Sequence, residues 1–440
     1  MPTIELLTAE ISELQAIRAV GRVEAIARGI IAVTGLGRQA TLGDGVRIHS
    51  QSRGALAGEI VGLAPDRVEV LPMGDAGGIA LGDRVLLSGQ GGIAPGEGWI
   101  GRIVDPMGQP LDGRPLPRGP VERPLLAPPP PAALRRLLGE RLPTGLAVMN
   151  TLLPLVRGQR IGLFAGSGVG KSSLLGRLAR DVRADVVVIG LVGERGREVR
   201  DFVERVLGPE GMARSVLVTA TSDQSPLMRR RCAWAAMTVA EHFRDEGRQV
   251  LLLVDSITRF AEAHREVALA GGEPASLRGF PPSTAHQIMA LAERAGPGLG
   301  EAGDITAIFS VLVAGSDMEE PVADILRGVL DGHVVLDREI AERGRFPAID
   351  VLRSVSRALP DCASEEQNRA ILQARRLLGA YERVEMMLRA GLYSPGSDPL
   401  IDAAVATWPA LDAFFAESAP GIEPGFARLA QVLEPAPAAG

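Results

Sequence analysis

The sequence predicts an α/β protein in which a small β-barrel precedes a parallel-sheet core and a helical domain follows it. Between residues 20 and 88, short apolar runs alternate with glycine turns, which is typical of a small antiparallel barrel. Residues 140–355 alternate strands that are apolar throughout with longer helical patterns, as in a sheet covered by helices on both faces. After Pro360 the pattern is helical.

The spacing of apolar residues predicts an N-terminal helix and the barrel strands. Residues 1–18 place Leu7, Ile11 and Leu14 at helical intervals, which predicts a short helix that either packs on its own protein or docks a partner. The barrel is expected over residues 19–95, and its strands are expected at the apolar runs 29–33, 45–48, 58–63 and 66–71.

A proline-rich connector is predicted over residues 96–135. Eight prolines lie between residues 113 and 131, and proline fixes φ and cannot donate to a strand ladder. The parallel-sheet core is expected over 136–358, with strands near 160–164, 185–190, 215–218, 250–254 and 305–309.

The C-terminal helical domain is expected over residues 359–440. Ser364 and Gln367 have the spacing of a capping box that opens a long helix, which Gly391 would end. Asp398-Pro399 predicts the start of another helix.

Composition narrows the class of protein. The formal net charge of −6 argues against a nucleic-acid binder. Two cysteines, Cys232 and Cys362, fit a reducing cytosol better than a disulfide framework. The sequence lacks a signal-peptide pattern and any apolar run long enough to span a membrane, so membrane association is expected only through partners.

A phosphate-binding loop is the strongest local signal. A strand precedes Ala165–Ser172 and a helical pattern follows it, so that backbone N–H groups and a helix N-terminus would surround a polyphosphate. Lys171 would reach the β- and γ-phosphates. The strict pattern has glycine where this chain has Ala165. The candidate nucleotide contacts are Gly166, Ser167, Gly168, Val169, Gly170, Lys171, Ser172 and Ser173.

Two acidic residues at strand ends complete the predicted chemistry. The run 251–254 ends at Asp255, which would hold the water shell of Mg²⁺ while the Ser172 hydroxyl ligates the ion. Glu194 follows the buried run 186–192 and is the candidate that positions the attacking water. Glu198 is the second candidate, and a solvated ion-pair turn is the alternative for this segment.

Two further residues come from the segment 344–357. Phe346 is a candidate for packing on adenine. Arg357 is a candidate arginine finger for the γ-phosphate of a neighbouring subunit. Spacing alone favours a core phenylalanine and a surface salt bridge for these two positions.

The order of motifs resembles that of the F1/V-type rotary ATPase superfamily and, within it, the type III secretion export ATPases, with the flagellum-specific ATPases most similar. The resemblance runs from about Val20 to the C-terminal helices and implies a RecA-like core. The strings that carry it are 157–172, 190–201, 220–226, 254–260, 326–333 and 393–399.

The resemblance assigns roles to the candidate residues. Alanine is ordinary in the family at position 165. Glu194 matches the catalytic glutamate, Arg357 the arginine that acts on a neighbouring subunit, and Phe346 an adenine-packing aromatic that is commonly tyrosine. With Lys171, these residues would hydrolyse ATP in the presence of Mg²⁺.

The resemblance also implies an assembly. It would be a homohexamer with active sites at subunit interfaces, peripheral at the cytoplasmic face of a bacterial membrane. The expected partners are a stator-like regulator at residues 1–18, a stalk-like central protein facing the loop 271–282, and export chaperone–substrate complexes.

Other functions within the same superfamily are less well supported. A rotary ATP synthase or ion-pump subunit usually carries an acidic C-terminal stretch that contacts the rotor, and this sequence lacks one. A hexameric RNA translocase is disfavoured by the acidic net charge. A non-catalytic regulatory subunit is disfavoured by the intact Lys171, Glu194 and Arg357.

Overall fold

A computed structural model describes residues 19–52, 54–313 and 318–434. The helix predicted over residues 1–18 therefore lies outside the described residues. Within the described part of the chain, no helix is both long and apolar enough to cross a bilayer.

Six antiparallel strands close the N-terminal barrel in the order β1-β2-β5-β4-β3-β6. Alternate side chains, such as Val46 and Ile48, are buried in its interior, as the period of two requires. Arg28 and Gly29 both have positive φ, 53° and 77°, which is the tight turn that matches strand twist in a hairpin. The strands are β1 (Val20–Ala27), β2 (Ile30–Thr34), β3 (Gly45–Ser50), β4 (Gly54–Leu63), β5 (Arg67–Pro72) and β6 (Arg84–Gly89). The four predicted barrel runs are confirmed, and the sequence reasoning missed β1 and β6.

The core is a sheet in the order β17-β16-β10-β15-β13-β11-β12-β7. Neighbours from β16 to β7 are parallel, whereas β17 runs antiparallel to β16. All five predicted core strands are present. The strands that follow the barrel are β7 (Arg102–Val104), β8 (Arg141–Leu142), β9 (Leu155–Val156), β10 (Arg160–Ala165), β11 (Val186–Glu194), β12 (Ser215–Thr221), β13 (Val250–Asp255), β14 (Gly296–Pro297), β15 (Asp304–Leu312), β16 (Gly332–Leu336) and β17 (Ile349–Ser356).

Helices cover this sheet and form the C-terminal region. Ser364 and Gln367 form the predicted capping box, and Asp398 caps the helix that starts at Pro399. The α-helices are Ala147–Thr151, Lys171–Asp181, Gly196–Asp201, Gly208–Met212, Pro226–Asp245, Ile257–Ala270, Ser283–Arg294, Pro321–Val329, Arg338–Glu342, Glu365–Arg389, Pro399–Ala416 and Ile422–Leu433, with a π-helical turn at Phe202–Leu207 and 3-10 turns at Glu97–Trp99, Ala132–Leu134 and Leu277–Gly279.

The segment predicted as a plain connector contributes to the core. Its residues 102–104 form β7, which pairs in parallel with β12. The buried Arg102 side chain binds both oxygens of Asp112 and donates to the carbonyls of Arg114 (2.6 Å) and Pro115 (3.0 Å). Charge-assisted bonds of this kind hold the proline-rich chain in place, so the segment is more than a spacer. The domain boundaries themselves stay predictions.

Candidate active site

The phosphate loop leaves β10 near the middle of the sheet, where β15 and β16 flank it in parallel. Gly168 and Gly170 have φ of 80° and 87°, a region that side-chain-bearing residues rarely adopt. Val169 is buried and anchors the loop, whereas Ser172 and Ser173 are exposed. The helix Lys171–Asp181 begins directly after the loop, so its positive end faces the space that the loop encloses.

Lys171 meets both predicted carboxylates at the carboxyl edge of the sheet. Its ammonium contacts the Oδ1 atom of Asp255 directly and lies 3.9 Å from the Oε1 atom of Glu194. Asp255 is only 4% exposed and pairs in register with Leu191, so Glu194 stands three residues further along β11. Strand order therefore brings together three residues that are far apart in sequence.

The environment of Glu194 tunes its proton affinity. Burial, and then the charge of Asp255, raise its pKa to about 7, although Lys171 acts in the opposite direction. Glu198 lies on the following helix, half exposed and 3.2 Å from Arg195. A carboxyl group with a pKa near neutrality suits proton exchange with water at physiological pH. Glu194 is favoured over Glu198 because it lies beside Lys171, whereas Glu198 pairs with Arg195.

Phe346 lies beside the phosphate loop and is 51% exposed. A Cβ atom placed on Gly170 would meet its ring at 3.2 Å. The neighbouring Arg345 is buried and fixes this segment, since it pairs with Asp412 at 2.9 Å and donates to the carbonyls of Pro347 and Ile349. Phe346 therefore presents an aromatic face at the loop and is not a core residue.

Arg357 lies at the amino-terminal ends of the parallel strands, whereas the phosphate loop of the same chain lies at their carboxyl ends. Because β17 is antiparallel, its C-terminal end is level with the start of β10: the N–H of Arg357 bonds to Asp331 O, and the N–H of Asp331 bonds to Arg160 O. Ala165 lies five residue steps after Arg160 along β10, a distance of about 16 Å at strand rise. The exposed Arg357 guanidinium donates to Arg327 O at 3.1 Å.

The sequence reasoning missed Ser310. This residue is fully buried on β15, and its hydroxyl donates to the Oδ1 atom of Asp255 at 2.6 Å. The signal in the sequence was a serine near the end of an apolar strand that is expected to lie in the same sheet as Asp255. Without the strand order, nothing placed the two strands side by side.

The donor set fits a magnesium ion that arrives with a nucleotide. Mg²⁺ prefers oxygen ligands, keeps several waters and is commonly held by one or two carboxylates together with substrate phosphates. Ser172 supplies an accessible hydroxyl and Asp255 a carboxylate. In the part of the chain that the structure describes, no three His, Cys, Asp or Glu side chains form a cluster able to hold a metal.

Comparisons with known families agree with this architecture. A model described as "ATP synthase alpha/beta family, nucleotide-binding domain" matches residues 145–356, and one described as "T3SS EscN ATPase C-terminal domain" matches residues 363–419.

Individual proteins match nearly the whole chain. The flagellum-specific ATP synthase of Caulobacter vibrioides is 44% identical over 438 residues, covering 97% of this chain and 99% of that protein. The flagellum-specific ATP synthase of Salmonella typhimurium is 43% identical over 425 residues, covering 94% of this chain and 93% of that protein. Assembled EscN from the enteropathogenic E. coli type III secretion system is 38% identical with a TM-score of 0.86, covering 94% of this chain and 100% of that one. EscN in complex with its central stalk EscO is 37% identical with a TM-score of 0.85, and the match covers 94% of this chain and 100% of that one.

Proposed function

Since the chain belongs to the family of flagellum-specific ATP synthases and type III secretion ATPases, and is an ATPase that energises protein export, we propose that Lys171, Glu194 and Arg357 carry out its catalysis. The convergence of Lys171, Asp255 and Glu194 beside a glycine-rich loop is the observation that carries the assignment of Lys171 and Glu194. This arrangement brings together the Lys171 ammonium, the Asp255 carboxylate that would face the metal, and the Glu194 carboxyl group, whose pKa is near neutrality.

Each side chain has a defined task. Lys171 leaves Asp255 and binds the β- and γ-phosphates, while loop N–H groups and the helix N-terminus bind the remaining phosphate oxygens. Mg²⁺, held by Ser172 and through water by Asp255, would neutralise phosphate charge. Glu194 in its ionised form orients the attacking water, and the ring of Phe346 packs on the adenine.

Arg357 acts on the nucleotide of a neighbouring subunit. An arginine side chain extends roughly 7 Å from its Cα atom. Arg357 and the phosphate loop of the same chain are about 16 Å apart along the strands, which is more than twice that reach. Because one chain carries both the loop and the finger, a closed ring gives every site both groups. We therefore propose a homohexamer with active sites at the interfaces, in line with the assembled EscN relative.

A central stalk-like protein is the proposed partner of the loop 271–282. EscN has been solved in complex with its central stalk. In this chain, Glu273 accepts hydrogen bonds from the N–H (2.8 Å) and hydroxyl (2.6 Å) of Ser283, and these bonds tie the two ends of the loop together. If the loop couples hydrolysis to export, Arg278→Ala will lower export while hydrolysis persists; unchanged export would refute this role.

The apparatus that we propose is the flagellar one, because the flagellum-specific relatives are 44% and 43% identical and the EscN structures 38% and 37%. We also propose a cytoplasmic location at the inner membrane face, reached through partners. Residues 1–18 would bind a stator-like regulator, and the ring would receive export chaperone–substrate complexes.

Two variants test the catalytic assignment. Glu194→Gln should remain folded and bind a fluorescent ATP analogue, but lose most hydrolysis. Lys171→Ala should lose nucleotide affinity as well, because the phosphates lose their cation. Glu198→Gln changes the second candidate, a half-exposed carboxylate that interacts with Glu194, and should keep turnover. Near-normal hydrolysis by Glu194→Gln would contradict the assignment.

A further inference from the structure

Two donors converge on one oxygen of Asp255. Its Oδ1 atom contacts the Lys171 ammonium and accepts the Ser310 hydroxyl at 2.6 Å. An ionised carboxylate only accepts hydrogen bonds, so the hydroxyl proton lies between Ser310 and Asp255. Both residues are buried, with exposed fractions of 0% and 4%, where a charge-assisted hydrogen bond is strong.

Ser310 reaches this position through the order of the strands. On one side of β15, Val254 pairs with Phe309, which places Ser310 beside Asp255. On the other side, Leu163 of the phosphate-loop strand pairs with Ser310. The neighbours of Ser310 along β15, Phe309 and Val311, are apolar and fully buried. The Ser310 hydroxyl is thus a polar group between two apolar neighbours.

The two donors differ in what nucleotide binding does to them. Under the proposed function, on which this inference rests, Lys171 moves to the phosphates and its contact with Asp255 is lost. Ser310 is part of the central sheet, so we expect it to stay in place when the nucleotide binds. We propose that Ser310 is a positioning residue. It holds the Asp255 carboxylate in one orientation when Lys171 leaves Asp255 and binds the phosphates. The carboxylate therefore stays available to Mg²⁺.

Magnesium dependence is the measurement that separates this role from a general structural one. Outer-shell partners of metal sites typically contribute about 10- to 100-fold in metal affinity. We expect Ser310→Ala to raise the Mg²⁺ concentration for half-maximal hydrolysis by about 10-fold, the lower end of that range, because Asp255 acts through water. Binding of a fluorescent ATP analogue in EDTA should be unchanged, and its strengthening by Mg²⁺ should be reduced.

Two further variants are matched to Ser310→Ala. Ser310→Thr keeps the hydroxyl on a strand and should restore the wild-type Mg²⁺ dependence. Ser215→Ala removes another fully buried hydroxyl of the same sheet, which donates to Gly211 O at 2.6 Å, and should leave the Mg²⁺ dependence unchanged. If Ser310→Ala does not fold, Ser310→Cys, which keeps the volume but is a weak donor, replaces it in the same titration.

Three results would overturn the proposal: a folded Ser310→Ala with Mg²⁺ dependence like that of the wild type, an equal shift in Ser215→Ala, or a Ser310→Thr that behaves like Ser310→Ala. These outcomes leave the catalytic assignment intact. Failure of the assignment itself would appear separately, as retained hydrolysis in Glu194→Gln.

Discussion

Mixing two inactive variants tests the position of Arg357 most directly. Lys171→Ala removes the proposed phosphate-binding cation, and Arg357→Ala removes the proposed arginine finger. Arg357→Ala alone should lose about 10³- to 10⁵-fold in hydrolysis, the range known for arginine fingers, and Lys171→Ala alone should also lose most hydrolysis. In a ring mixed at random in equal amounts, a competent site needs an Arg357→Ala subunit beside the correct face of a Lys171→Ala subunit, so about one quarter of the interfaces recover both groups.

The structure explains why recovery requires two subunits. Arg357 is level with Arg160 at one edge of the sheet, and the loop begins after Ala165 at the other edge, so a contact within one chain is out of reach. The assay is phosphate release after co-assembly across a range of mixing ratios, with a maximum near equal amounts. Arg353→Ala, on the strand β17 that leads to Arg357, is the control that should stay active alone. A mixture that is no more active than its components would refute the trans contact.

Three further predictions concern protonation, the base pocket and the core. Because we propose that the ionised form of Glu194 is the active one, and its pKa is raised to about 7, kcat/KM for ATP should rise roughly tenfold between pH 6 and pH 8; a flat profile would contradict this. Phe346→Ala should raise the KM for ATP about 3- to 10-fold by losing a stacking contact, whereas Phe346→Tyr should not. Glu241→Ala should lower the free energy of unfolding by about 3–5 kcal/mol in urea titrations, because it leaves the buried Arg294, which it binds at 2.6 and 2.9 Å, without its carboxylate.

Local patterns predicted much of the chain. Apolar runs bounded by glycines located the barrel and core strands, because a strand buried on both faces must be apolar along its length. The phosphate loop was also readable, since only glycine readily adopts the positive φ found at Gly168 and Gly170. The cap residues Ser364 and Asp398 were predicted for a similar reason, because capping involves only the first turn of a helix.

The sequence by itself thus determined most of the core strands and the C-terminal helices, and it placed Glu194 and Asp255 at strand ends and Lys171 at the start of a helix. Strand order and direction were decided only in the tertiary structure, because they depend on pairings between distant segments. The antiparallel direction of β17 puts Arg357 at the far edge of the sheet. The order β10-β15-β13 puts Ser310 beside Asp255, and the burial that raises the pKa of Glu194 exists only once those strands pack together.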